Sequence, residues 1–425
     1  MWQTLKNAWQ VQDIRKKLLF TLLLIVIFRV GSVIPVPFLD KSALAAFFET
    51  GANTIFGYLN ALTGGAFANA TIFAMSISPY INASIIIQLL TIAIPALERL
   101  SKEGEEGRKK ITRYTRYLTV VLGLIQAFGY YATLRNAGGV TPNTLYAAFV
   151  IIITFTAGTA FIMWLGEQIT EVGIGNGISI ILFAGIVSGG PDIARTAYNY
   201  IVTGRLNWLT LGLIVVLFLA LVSLVVFVSN AERRIPVQYA KRVVGRKMYG
   251  GQSTHLPLKV NMTGVLPIIF ASSICTFPAT IAMFFPTPEE GSFWYGFQKA
   301  IQPNTWGYAV VYFLLIIFFN YFYTAVQFNP VEIANNMKKN GGFVPGIRPG
   351  KPTSDYIQRI LSKITFLGAS FLGLMATLPI IMSSGFGLDF YLGGTTLLIV
   401  VGVALETVKQ LESQMLMRHY KGFLE

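Results

Sequence analysis

The sequence predicts an all-α polytopic membrane protein, with ten transmembrane helices in two pseudo-symmetric five-helix halves related as an inverted repeat, and a re-entrant half-helix after the first span. Three observations lead there. Of 425 residues, 54% are hydrophobic and 12% charged, about half the charged share of an ordinary soluble chain. The apolar residues gather into runs at 18–36, 118–134, 145–165, 211–228 and 310–328, each near the roughly 20 residues that cross a bilayer. Lys and Arg number 33 against 19 Asp and Glu, a net charge of +14, and they are concentrated in a few polar segments.

Residues 1–17 form a polar, amphipathic segment. The apolar run after it is too long for a cleavable signal and leads into further spans rather than a small-residue cleavage site, so it is expected to remain attached. Spans are expected at 18–36, 73–95, 117–134, 145–166 and 176–189, making an N-terminal half of 18–190. Those at 208–229, 264–285, 306–328, 364–382 and 391–410 make a C-terminal half of 191–410, followed by a tail of 411–425. Ten is even, so both termini share a side. Short loops rich in Lys and Arg stay cytoplasmic. The N-terminal segment, the loops at 96–116, 230–263 and 329–363 and the C-terminal end hold 27 of the 33 basic residues, against Lys41, Arg135, Arg195, Arg205 and Lys299 on the other side. Both termini are therefore expected in the cytoplasm.

Residues 54–70 (TIFGYLNALTGGAFANA) are mildly apolar, broken by Gly57, Gly64 and Gly65, and too short to cross. Such backbone at membrane depth is tolerated only inside protein or beside water, so the segment is expected within the bundle. Pro79 in span two and Pro267 and Pro278 in span seven occupy corresponding places in the two halves, as in transporters and channels built from inverted repeats with the site at their interface. Span five is short and opens on Gly173, Gly175 and Gly177.

Several chemistries are disfavoured. The two histidines, His255 and His419, lie in cytoplasmic segments without metal-binding spacing, and the lone Cys275 excludes a disulfide framework or a CxxC centre. Ser272 and Ser273 have no intramembrane His or Lys to activate them. GIGNG at 173–177 lacks the phosphate-loop lysine and strand context. The chain is not expected to be an enzyme, and no cofactor is implied. An ion-coupled secondary transporter of a small solute is the competing class, because buried ionisable groups serve as coupling sites; its candidates are Arg29, Glu167 and Glu406. Two readings of Arg29 stand at this point: a side chain reaching the outer interface or the carbonyls beside Pro35, or one on the wall of an aqueous path.

Long motifs then carry a resemblance: FAMSISPYINASIIIQLL at 73–90, KEGEEGRKKITRYTRY from Lys102, WLGEQITEVGIGNGISI from Trp164, QSTHLPLKVNMTGVLPIIFASSI from Gln252 and FVPGIRPGKPT from Phe343. Over 18–420 the chain resembles the bacterial SecY family, the channel subunit of the general protein translocase. The resemblance implies a plasma-membrane channel for unfolded secretory polypeptides that releases apolar segments sideways into lipid. It makes the half-helix a plug, with Phe56, Leu59, Leu62, Gly64, Gly65 and Phe67, and spans two and seven a lateral gate. The family's pore ring maps onto Ile77, Ile81, Ile178, Leu182, Ile269 and Ile399, with Leu182 where isoleucine is expected. The implied partners are the small membrane subunits SecE and SecG, the motor ATPase SecA, the translating ribosome, signal-bearing polypeptides and lipid.

The implied parts have a physical rationale. Branched apolar side chains can dewet an idle constriction while gripping no particular substrate. Any one of these residues taken alone reads first as ordinary helix packing, and only the family mapping lifts it above that. A signal segment of about 7–15 apolar residues gains free energy on leaving water, which requires a seam open to lipid. Asn82 and Phe277 match positions lining that seam, and Gln88 and Ser273 are polar residues suited either to closing it by interhelical hydrogen bonds or to packing. The basic loop 230–263 holds Arg233, Arg234, Lys241, Arg242, Arg246, Lys247 and Lys259 against one acid, Glu232. Part of that charge answers to anionic lipid; the rest suits ribosomal RNA phosphates or acidic faces of the motor. Arg348, in the turn PGIRPG, matches a position important for the motor.

Overall fold

The computed structural model describes residues 6, 8–40, 44, 60, 63–203, 207–239, 242–244, 247–249, 253–282, 292, 296, 302, 305–386 and 394–421. The chain runs first through α1 (Gln12–Gly31), α2 (Ser78–Ala93), α3 (Pro95–Lys102), α4 (Glu105–Asn136), α5 (Leu145–Val172), α6 (Gly177–Ser188) and α7 (Gly190–Val202). Next come α8 (Trp208–Asn230), strands β1 (Glu232–Tyr239), β2 (Arg242–Val244), β3 (Lys247–Tyr249) and β4 (Ser253–Lys259), and α9 (Leu266–Ala282). The chain continues with α10 (Trp306–Gln327), α11 (Pro330–Lys339), β5 (Gly342–Phe343), α12 (Lys351–Phe386) and α13 (Gly394–Lys421).

Among the described residues, five helices are long and apolar enough to cross a membrane: 105–136, 145–172, 208–230, 306–339 and 351–381. A sixth candidate is the pair α2–α3, which bends by 101° at Ile94. Its break follows from Pro95, which restricts the residue before it to extended backbone; Ile94 has φ −109° and ψ 113°.

Span two was expected from residue 73, but its helix begins at Ser78. The preceding residues are held in turns by the chain after α1. Val36 N donates to Ala70 O at 3.1 Å and Ile72 N to Ile34 O at 3.0 Å. Pro79 consequently lies in the first helical turn, where a missing N–H is tolerated, rather than kinking a helix interior. Pro278 does stand inside α9.

Span five is the 12-residue α6, about 18 Å long, and falls short of the roughly 30 Å hydrocarbon core. Asn176 starts it, its Oδ1 accepting from Ile178 N at 3.1 Å and Ser179 N at 3.4 Å. The glycines before it serve close approach: a Cβ on Gly177 would lie 1.9 Å from Gly166 O of α5, and Gly175 has φ +89°. Their role in GIGNG is thus turn and packing geometry.

Helices close in sequence pack as neighbours: α1 on α5, α2 and α5 on α4, α10 between α9 and α12, and α13 on α12. The early and late helices form a junction where α2 and α4 contact α9, and α6 contacts α13. One hydrophobic cluster runs through this junction, with members from Leu24 and Ile77 to Ile269 and Val403.

The basic segment 230–263, read from sequence as a loop in an all-α chain, contains strands. β1 pairs antiparallel with β4 from Glu232↔Lys259 to Gln238↔Ser253, and with β5 at Gln238↔Phe343 and Tyr239↔Gly342. The alternation that favours this is short: Ile235 and Val237 point into a small core with Leu258, Met337, Val344 and Ile357, while Arg234 and Pro236 face out. β2 and β3 pair as a separate hairpin.

Candidate functional site

The junction between the early and late helices is apolar, and the six mapped positions converge on it. Ile77, Ile81, Leu182, Ile269 and Ile399 are buried members of the junction cluster, and Ile178 packs against it half-buried. They come from four helices or their ends, α2, α6, α9 and α13. Gly166 of α5 marks one meeting point: its absent Cβ would lie 3.5 Å from Ile77 Cδ1 and 3.7 Å from Ile178 Cγ1.

The turn region 63–77 supplies Phe73 and Ile77 to this cluster. Gly64, at φ +62°, is pressed against the end of α6, where a Cβ would lie 2.2 Å from Ser188 Oγ and 2.4 Å from Gly185 O. Phe67 is buried and stacks on Tyr130 of α4 with centroids 4.5 Å apart, while the Tyr130 hydroxyl donates to Phe67 O. Gly65 has φ +88°. Phe56, Leu59 and Leu62, the remaining residues of the expected half-helix, lie outside the described residues.

Arg29 is placed against this same turn. Its Nη1 is buried with no hydrogen-bond partner among the described residues, and it would lie 3.2 Å from a Cβ on Gly64. The guanidinium therefore faces the irregular segment within the protein. Glu167, another candidate coupling group, is engaged elsewhere: Arg116 Nε donates to its Oε1 at 2.8 Å.

At the seam between α2 and α9, Asn82 and Ser273 are buried, each at 9% exposure, while Phe277 is 40% exposed. Gln88 does not bond across to Ser273. Its Nε2 donates to Ser84 Oγ at 3.1 Å within α2, and its Oε1 accepts from the hydroxyl of Tyr323 on α10. Tyr323 is buried and held by Phe270 of α9, with ring centroids 5.1 Å apart. Sequence reasoning missed Tyr323 because it is one of several aromatic residues in span eight, and only helix rotation distinguishes it.

On the polar face, Arg233 and Arg234 are exposed on β1, and Arg234 Nε pairs with Glu232 Oε1 at 2.7 Å. Arg242 and Lys247 lie on the β2–β3 hairpin, whereas Lys241 and Arg246 fall outside the described residues. Arg348 is exposed in the turn between β5 and α12, flanked by Gly346 at φ +81° and Gly350 at φ +103°. Its carbonyl accepts from Thr353 Oγ1 at 2.8 Å. Because β5 pairs with β1, this turn is joined to the sheet that carries Arg233 and Arg234.

The sequence profile of the SecY family matches residues 71–408. This chain belongs to the SecY family. Relatives named protein translocase subunit SecY are similar along their whole lengths. That from Streptomyces galbus is 49% identical, covering 98% of each chain, and that from Halalkalibacterium halodurans is 49% identical over 100% of each. The fold is similar to a solved protein conducting channel, with TM-score 0.67, 19% identity and coverage of 94% of this chain and 92% of that one. It is also similar to Sec61 in a canine ribosome–channel complex from the endoplasmic reticulum, with TM-score 0.62, 19% identity and the same coverage. The chain is a multi-pass membrane protein.

Proposed function

We propose that this SecY-family chain is the protein-conducting subunit of a translocase, passing unfolded secretory polypeptides across the plasma membrane and releasing apolar segments sideways into lipid. The observation that carries the reading is the convergence of Ile77, Ile81, Ile178, Leu182, Ile269 and Ile399 on one apolar cluster between the halves. Such a constriction excludes water and ions when idle and yields to any passing chain. Ten spans with both termini cytoplasmic complete the architecture, and the segment around 54–70 acts as plug.

The seam between α2 and α9, with Asn82, Gln88, Ser273 and Phe277, is the lateral gate. The β1–β4 unit with Arg233, Arg234, Lys241, Arg242, Arg246 and Lys247 docks the ribosome, and Arg348 engages SecA. SecE and SecG are the expected small membrane subunits. The chain itself performs no bond chemistry, so the work of pushing comes from the motor or from translation. Reconstitution in vesicles with SecA and ATP tests this: an unfolded precursor should become protease-protected. Solute uptake driven by an ion gradient, without protection, would favour a secondary transporter instead.

A further inference from the structure

Within the turn region 63–77, two residues carry left-handed backbone without being glycine. Ala70 has φ +42° and Ser76 has φ +48°. A side chain in this region places Cβ against the neighbouring carbonyl and is strained. Ser76 carries a second cost. It is buried, and its Oγ has no hydrogen-bond partner among the described residues, although a buried hydroxyl normally finds one.

The surroundings explain how this conformation persists. Ser76 N donates to Phe73 O at 2.9 Å and Ala74 N to Thr71 O at 2.9 Å. Phe73 is stacked between Phe28 of α1 and Phe161 of α5, at centroid distances of 6.0 and 5.9 Å. Gly31 leaves room for that ring, since a Cβ there would fall 2.0 Å from it. Strained residues survive where neighbouring contacts over-determine them, and they cluster at switch regions. Ser76 stands immediately before Ile77, the fully buried residue at the start of α2. On its other side the chain leads back to the Gly64 turn. Any change in the Ser76 dihedrals therefore moves the first ring residue and the gate helix relative to the turn region.

We propose that Ser76 is a residue that sets signal stringency: its strained backbone and unpartnered hydroxyl raise the free energy of the closed junction, so that less apolar signal segments suffice to open it. This rests on the reading of the chain as a polypeptide channel. The strain is released when α2 parts from α9 and the hydroxyl gains water or a backbone partner.

Two substitutions separate the contributions. Ser76→Gly removes both the Cβ conflict and the hydroxyl, while Ser76→Ala removes the hydroxyl alone. The idle channel is assayed in planar bilayers for ion conductance, and in vesicles with SecA and ATP for protection of precursors whose signals are progressively shortened in leucine. Ser76→Gly should lower idle open probability about tenfold, equivalent to about 1.4 kcal/mol, and should require a longer apolar signal. Ser76→Ala should move both readouts in the same direction by less. Unchanged conductance and threshold in both variants, or increased leak in either, would overturn the assignment. Failure of the unsubstituted chain to protect any precursor would instead remove the channel reading itself.

Discussion

Replacing Tyr323 by Phe deletes one oxygen and keeps the ring that packs on Phe270. The hydroxyl is the donor to Gln88 Oε1 and joins α2 to α10; without it the acceptor is left half-buried and unsatisfied. Interhelical hydrogen bonds of this kind in membranes average about 0.6 kcal/mol and reach about 1.7. Those values correspond to about 3-fold and about 20-fold in an equilibrium constant, at about 1.4 kcal/mol per tenfold. Because the bond exists only while α2 lies against its neighbours, its loss favours the parted seam by that factor. The assay is protection of a precursor with a weakened signal, scored relative to the same precursor with an intact signal. Tyr323→Phe should raise that ratio about 3- to 20-fold, and Gln88→Leu should do likewise. The double variant should gain little beyond either single one, since both remove the same bond. Fully additive effects, or a lowered ratio for Tyr323→Phe, would show that the pair does not hold the seam.

Ile399→Asn places an amide in the buried apolar junction, where an unsatisfied polar group costs about 1–3 kcal/mol; it should wet the constriction and raise idle conductance in planar bilayers. Cysteines at positions 82 and 277, with Cys275 replaced, should form a disulfide in the idle state, which requires Cα atoms within about 7 Å. Oxidation should then block precursor protection and reduction restore it. Arg348→Glu should abolish SecA-driven protection while sparing ribosome binding, whereas Arg246→Glu should weaken ribosome binding with a shallower dependence on salt. Gly177→Ala forces a methyl toward Gly166 O, 1.9 Å away. Overpacking of this kind costs about 1–3 kcal/mol, so the thermal midpoint of the detergent-solubilised protein should fall.

What the sequence by itself determined is what depends on composition along a single line of chain. Apolar runs are legible because a bilayer demands a fixed length of hydrophobic residues, and the clustering of Lys and Arg is legible because charge does not depend on helix rotation. The long motifs that resemble SecY are equally one-dimensional, and they led to the family directly. The tertiary structure decided which side chains meet. Ile77 and Ile178 are 101 positions apart in a chain where 54% of residues are hydrophobic, so nothing local marks them as neighbours beside Gly166. Gln88 could have faced Ser273; the rotations of α2 and α10 gave it Tyr323. The strands in the basic segment were obscured because their apolar alternation is short, Ile235 and Val237 in β1 and Leu256 and Leu258 in β4, and the third strand, β5, lies about a hundred residues downstream. Ser76 looks unremarkable as a letter, since left-handed backbone in a non-glycine residue arises from the contacts of Phe73 and the chain after α1 rather than from the preference of serine.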